Sequence, residues 1–203
     1  MPVDKTENHG KIIAAAWKEF LAYGFADASM RRIAQEAGMS ASGLYKHFAG
    51  KEEMFSALVE PACRGLVDLF RQEAGSQEQV IEAGGTEIWE TGRDARMAVG
   101  YIYDHLDAFR LVVCGSQGTK YEGFLHDLAV LEERTTLAFM ELLKRQGVKL
   151  RDFDEREFHL LVTTNVNAVF QTVEHGLTRE EALHYAETLD RVFSKAWQEF
   201  FGY

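Results

Sequence analysis

The stretch from Met30 to Phe48 constrains this chain more than any other, because two short helical patterns meet there across a sharp break. Ile33, Ala34 and Ala37 share one face of the first. Gly38 ends it, as the residue type that takes left-handed backbone angles without a Cβ penalty. Ser40 stands where an N-cap belongs, its hydroxyl able to accept a first-turn N–H. The second pattern runs from about Ala41 to His47, with Leu44 and Phe48 facing inward. Helix, short turn with glycine, helix is the helix-turn-helix arrangement.

The second helix is unusual in what it leaves outside. Ala41, Ser42 and Gly43 are small, so the backbone can approach a neighbour closely. Tyr45, Lys46 and His47 follow, and each can donate a hydrogen bond to an anion. Small residues at a helix start with donors behind them suit entry into a DNA major groove. A short amphipathic core helix with ordinary surface polars would use the same residues.

The rest of the chain favours helices. Proline occurs only at positions 2 and 61, and the apolar residues recur at three- and four-residue spacing. Residues 5–24 carry Ile13, Ala16, Trp17, Phe20 and Leu21 as one stripe, closed by Gly24. Asp27 or Ser29 is available to cap the next helix. Lys51 opens a long helix with Phe55, Leu58, Val59, Ala62, Leu66 and Phe70, kinked near Pro61 and interrupted at Gly75-Ser76. A weak helix over 77–91, broken or pliable at Gly84-Gly85, precedes helices over 94–113, 120–146 and 155–176. Thr178 and Glu181 form a capping box for a last helix reaching about Phe201. No stretch reads as a strand. The expected fold is all-α: an N-terminal three-helix unit in residues 1–50, and a larger six-helix domain in residues 51–203.

Charge is divided along the chain. The formal net charge is −10, yet residues 1–50 hold six Lys and Arg against five acids. Only this N-terminal part suits a phosphate backbone, and the acidic remainder would be repelled by one. No apolar run reaches the roughly 20 residues that span a bilayer. Met1 to Thr6 lack an apolar signal segment, so a cytoplasmic location with no membrane role is expected. Cys63 and Cys114 do not read as a disulfide framework.

The stretch I-A-Q-E-A-G-M-S at 33–40, followed by G-L-Y-K-H-F at 43–48 and Lys51-Glu52, resembles the DNA-binding domain of the TetR family of transcriptional regulators. The family pattern is I-A-x-x-A-G-[VM]-S, then G-x-[LI]-Y-x-[HY]-F and a following K-E. The resemblance covers roughly residues 9–60, and Ser29-Met30 depart from the Thr-Thr or Thr-Val often found there. It implies a homodimer on a palindromic operator in double-stranded DNA, with two reading helices roughly 34–36 Å apart. It implies DNA contact by Ser42, Gly43, Tyr45, Lys46 and His47, and the expected DNA-facing set adds Ser29, Arg31, Ser40 and Lys51, Arg31 because a phosphate would offset a cation at a helix start. Tyr45, His47 and Lys51 would contact phosphates, with Ser42, Gly43 and Lys46 nearest the bases.

The last two long helices are apolar on too many sides for one face each, which points to a second subunit. The expected interface is Phe158, Leu161, Val169, Val173, Leu189, Phe193 and Trp197. A regulator also needs a cavity for a small-molecule effector, most often one that releases the repressor from its operator. Its expected lining is Trp89, Tyr101, Tyr103, His105, Phe109, Phe124, Phe139, Asn165 and Phe170, where Asn165 interrupts an apolar stripe. A hydrophobic or aromatic effector suits such walls.

No Walker motif, G-x-G-x-x-G, H-E-x-x-H or G-x-S-x-G is present. Glu181 and His184 have Glu-x-x-His spacing, but no second pair exists to complete a di-iron bundle. Neither a cofactor nor a metal nor an enzymatic activity is expected. The alternatives are a constitutive DNA-binding module whose second domain is packed solid and, less well supported, an enzyme built on a helical bundle.

Overall fold

The computed structural model describes residues 5–85 and 94–202, and the described residues are helical, with no strand among them. The order is α1 (Lys5–Asp27), α2 (Met30–Glu36), α3 (Ala41–Leu44), α4 (Lys51–Glu82), α5 (Asp94–Asp104), α6 (Leu106–Cys114), α7 (Phe124–Arg145), α8 (Glu155–Glu174) and α9 (Arg179–Phe201). The chain divides into two compact units. The first is Met1–Arg64 with His105–Glu122; the second is Gly65–Asp104 with Gly123–Tyr203.

In the first unit α1 packs on α2 and α6, and α2 on α3. The core is Ile12, Ala16 and Phe20 of α1, Ile33 of α2, Leu44 of α3, Phe55 of α4 and Phe109 of α6. Phe55 meets Phe20 and Phe25 edge-on, with ring centroids 5.2 and 5.4 Å apart. The buried row of α1 lies one position before the expected stripe: Trp17 is half-buried and Leu21 is 40% exposed. Glu19 explains the offset. It belongs to the buried face, 8% exposed, because its carboxylate accepts the Ser29 N–H at 2.8 Å and the Arg32 Nε–H at 2.7 Å. Near the end of α1, Gly24 adopts φ 68° and passes close to Gly115, whose carbonyl accepts the Phe25 N–H at 2.7 Å. A Cβ on Gly115 would sit 3.3 Å from the Gly24 Cα.

In the second unit α5 packs on α8 and α9, and α8 on α7 and α9. Its core includes Val99 and Ile102 of α5, Leu128 and Met140 of α7, Phe158 and Phe170 of α8, and Ala186 and Phe201 of α9. Phe153, Phe158, Trp197, Phe200 and Phe201 form one aromatic cluster. The Thr178–Glu181 capping box is present.

Several boundaries differ from the sequence reading. α4 does not stop at Gly75-Ser76 but continues to Glu82, where Ile81 is fully buried and secures the extra turns. Ser76 Oγ donates to the Gln72 carbonyl, the back-bond a serine can make inside a helix. The expected helix over 77–91 is therefore the end of α4, and residues 86–93 lie outside the described residues. The expected helix over 94–113 is two, because His105 leaves helical geometry at φ −125°, ψ 34°.

Candidate functional site

Two places in the described residues could carry function, one in each unit. The first is the helix-turn-helix. Gly38 takes φ 70°, as the turn requires. Ser40 caps α3, its Oγ accepting the Gly43 N–H at 3.1 Å, with the Ser42 hydroxyl 3.1 Å away. α3 itself is one turn long, shorter than the expected 41–47. Beyond it the bonds tighten: the Lys46 N–H reaches the Gly43 carbonyl and the His47 N–H the Leu44 carbonyl, three residues back. Ser42 and Gly43 are weak helix formers, and a segment this short has little propagation to offset its nucleation. Tyr45, Lys46 and His47 stand exposed on this tightened turn, over a buried Leu44 and Phe48.

The cations around the turn divide into two kinds. Arg32 is tied down by Glu19, by the Asp27 carbonyl at 2.8 Å and by the Tyr23 ring, 4.5 Å from its guanidinium carbon. The Glu19 hydrogen bond raises the Arg32 pKa above its ordinary value. Arg31 beside it is exposed. Lys51 Nζ donates to the Ala26 and Ala28 carbonyls at 2.9 and 3.3 Å and lies over the Phe25 ring. With three donors on an ammonium, Lys51 can offer a phosphate at most one more. Ser29 begins α2 without a side-chain cap bond, and its own N–H donates to the Glu19 carboxylate.

The second place is a cavity of about 490 Å³ in the second unit, within the range that small-molecule sites occupy. Phe70 and Ala74 of α4, Met97 of α5, Leu128, Leu131 and Phe139 of α7, Val166 and Phe170 of α8, and Phe193 and Trp197 of α9 give it apolar walls. Its polar lining includes Glu132, Asn165, Asp190 and Ser194. Asn165 Nδ2 is 3.5 Å from Glu132 Oε1. Asp190 Oδ1 accepts the Ala95 N–H at 3.1 Å, whereas its Oδ2 is buried with no partner. Burial pushes the Asp190 carboxyl above its ordinary range, against the pull of the Ala95 and Arg96 N–H groups.

Residues 12–58 match the family described as bacterial regulatory proteins, tetR family. These residues are a TetR-family DNA-binding domain. Solved structures share the fold over nearly the whole length. One is a TetR-like transcriptional regulator from Rhodococcus sp. RHA1, 20% identical over 97% of each chain with a TM-score of 0.56. Another is the fatty acid degradation regulator FadR from Bacillus halodurans, 16% identical over 95% of this chain and 97% of that one, with a TM-score of 0.59. A third is NalD from Pseudomonas aeruginosa, the secondary repressor of the MexAB-OprM multidrug efflux pump, 18% identical over 93% and 97%, with a TM-score of 0.51.

The expected cavity residues separate sharply. Phe139, Asn165 and Phe170 line the cavity. Phe109 is core of the first unit, fully buried, and Phe124 is buried at the start of α7. The Tyr103 hydroxyl donates to the Thr172 and Leu177 carbonyls, and Tyr101 packs against Gly65. His105 is exposed at the start of α6. These five do not line the cavity, and Trp89 lies outside the described residues. Asp190, Glu132 and Phe70 are functional candidates that the sequence reading missed. Asp190 carried the same signal as Asn165: it sits in the apolar row Ala186, Asp190, Phe193, Trp197.

The expected interface residues are mostly internal. Phe158, Val169, Val173, Leu189 and Trp197 are buried within a single chain, and Phe193 lines the cavity. Leu161, 37% exposed, is the one of the seven that stands at the surface. Leu160 and Val192, 65% and 56% exposed, are the other large apolar residues that α8 and α9 present to solvent.

Proposed function

We propose that this TetR-family protein is a ligand-responsive transcriptional repressor that binds a palindromic operator as a homodimer and leaves it when an effector fills the cavity. The single observation that carries the reading is one chain holding both a family-matched helix-turn-helix with an exposed Tyr45-Lys46-His47 tip and a 490 Å³ cavity with apolar walls. A constitutive module has no use for that cavity. The name of NalD, a repressor on the same fold, supports the sign of regulation.

In this reading residues 1–50 read DNA, and residues 51–203 bind effector and form the dimer. Ser42, Gly43 and Lys46 approach base edges. Tyr45 and His47 bind phosphates, and Arg31, rather than the immobilised Arg32, adds a further phosphate contact. Ser40 caps the start of α3, and Ser29 stands at the start of α2. Lys51 ties the end of α1 to the start of α4 and offers a phosphate its remaining donor. The dimer is centred on the exposed Leu160, Leu161 and Val192. α4 begins at Lys51 and supplies Phe70 and Ala74 to the cavity, so one helix takes part in both events. Control then requires an effector that binds a shifted form of α4 more tightly than the DNA-bound form.

The test is operator binding by the purified protein. Tyr45→Phe should weaken binding to every sequence alike and leave the slope of log affinity against log salt unchanged, because a neutral hydroxyl releases no counterion. Lys46→Ala should relax discrimination at one base pair. Binding that is indifferent to both changes would remove the tip from the interface.

A further inference from the structure

The ionisable residues around the cavity are unevenly divided. Glu73, Glu78, Glu132 and Asp190 line it, against Arg71 and Arg134. Both bases are exposed to solvent, and Arg71 Nη1 already lies 3.5 Å from Asp68 Oδ1. Glu132 and Asp190 are half-buried. The Asp190 carboxylate has one oxygen held by the Ala95 amide and the other buried without a partner. A buried carboxylate lacking its full set of partners is costly, and a cation placed against it removes part of that cost. The aromatic walls at Phe70, Phe139, Phe170 and Trp197 act in the same direction, because ring faces attract positive charge. Glu78 is exposed like the two arginines, so an anionic head group would meet three half-buried carboxylates, Glu73, Glu132 and Asp190, and no half-buried base among the cavity's lining residues.

We infer that the cavity selects an organic cation, an aromatic or aliphatic body carrying one protonated nitrogen, with Asp190 and Glu132 reading the charge. The inference rests on the cavity being the effector site. It adds the charge of the effector, which apolar walls alone leave open.

Three probes with one body separate the two claims: 6-phenylhexylamine, 6-phenylhexanol and 6-phenylhexanoate, titrated into the full-length protein by calorimetry near neutral pH. The amine should bind at least about tenfold more tightly than the alcohol, the low end for a charge-assisted hydrogen bond, and the carboxylate should bind worst. Asp190→Asn keeps an acceptor for the Ala95 amide, and with Glu132→Gln it should erase the preference for amine over alcohol. Equal affinity for amine and alcohol, or a preference for the carboxylate, overturns the cation while the effector site stands. Equal loss of all three probes in Asp190→Asn shows a structural role and also overturns it. Failure of all three to bind wild-type protein overturns the effector site, and the cation with it.

Discussion

Glu19 offers the sharpest test of how the reading head is held. Its carboxylate is 8% exposed and bonds the first free amide of α2, Ser29 N–H, at 2.8 Å. The same oxygen takes the Arg32 guanidinium, whose side chain is 49% exposed. The two partners should contribute unequally. A bond from a part-buried amide to a carboxylate is worth about 1.5–3 kcal/mol. The half-exposed arginine adds less, because solvent screens it. Glu19→Ala should therefore destabilise the first unit by about 2–4 kcal/mol, since it leaves the Ser29 amide without its partner. Glu19→Gln keeps a neutral acceptor and should cost about 1 kcal/mol. Urea denaturation followed by circular dichroism gives the totals, and hydrogen exchange at the α2 amides locates the loss. Operator affinity should fall in parallel, because α2 sets the position of the turn. If alanine and glutamine cost the same, the capping role is wrong and the ion pair is what matters. If alanine costs under about 0.5 kcal/mol, Glu19 behaves as an ordinary surface residue and the account fails.

Three further outcomes are expected. Gly65→Ala would place a methyl group on the Tyr101 hydroxyl and should cost about 1–3 kcal/mol in thermal unfolding, with Tyr101→Phe in the same chain recovering part of it. Glu60 is held down at about 2 by the Tyr121 hydroxyl first and Lys120 next, so its carboxylate stabilises the fold above its ordinary 4.5 and that stability is lost as pH falls towards 2; Glu60→Gln should flatten this acid limb in a pH-resolved denaturation series. Leu160→Asp combined with Val192→Asp should yield folded monomers in sedimentation that no longer bind operator, and an intact dimer would move the interface off these side chains.

The sequence carried the local structure well, because caps, glycines and three-four spacing act over a few residues. Gly38, Ser40 and the Thr178–Glu181 box all appear where the local chemistry puts them. What it concealed depends on partners far along the chain. Glu19 reads as a surface acid until α2 brings the Ser29 amide to it, and the apparent stripe of α1 is displaced as a result. α4 survives Gly75-Ser76 because Ile81 packs with Phe139 and Leu143, more than fifty residues away in sequence. The cavity was the least legible feature. Whether an aromatic side chain lines a space or fills the core depends on what the neighbouring helices leave empty. Phe139 and Phe170 fell on one side of that division, Phe109 and Phe124 on the other. Much of the apolar excess of α8 and α9 from which the dimer residues were expected packs, for the same reason, into their own aromatic cluster and the cavity wall.

The close passage of Gly24 and Gly115 has a consequence for anyone exchanging reading heads between relatives. The matched domain ends at residue 58, but the amide of Phe25 is satisfied by a carbonyl at 115, and Phe55 is covered by Tyr121. The transplantable module is therefore two pieces of chain, with the segment 65–104 spliced between them. A chimera cut after residue 60 would import a donor surface for Phe25 and Phe55 and then face it with a foreign α6, where any side chain on the residue after it, position 115, would press its Cβ to 3.3 Å from the Gly24 Cα. Grafts that carry residues 105–122 along with the head keep that seam intact, and natural recombination within such a gene would be confined in the same way.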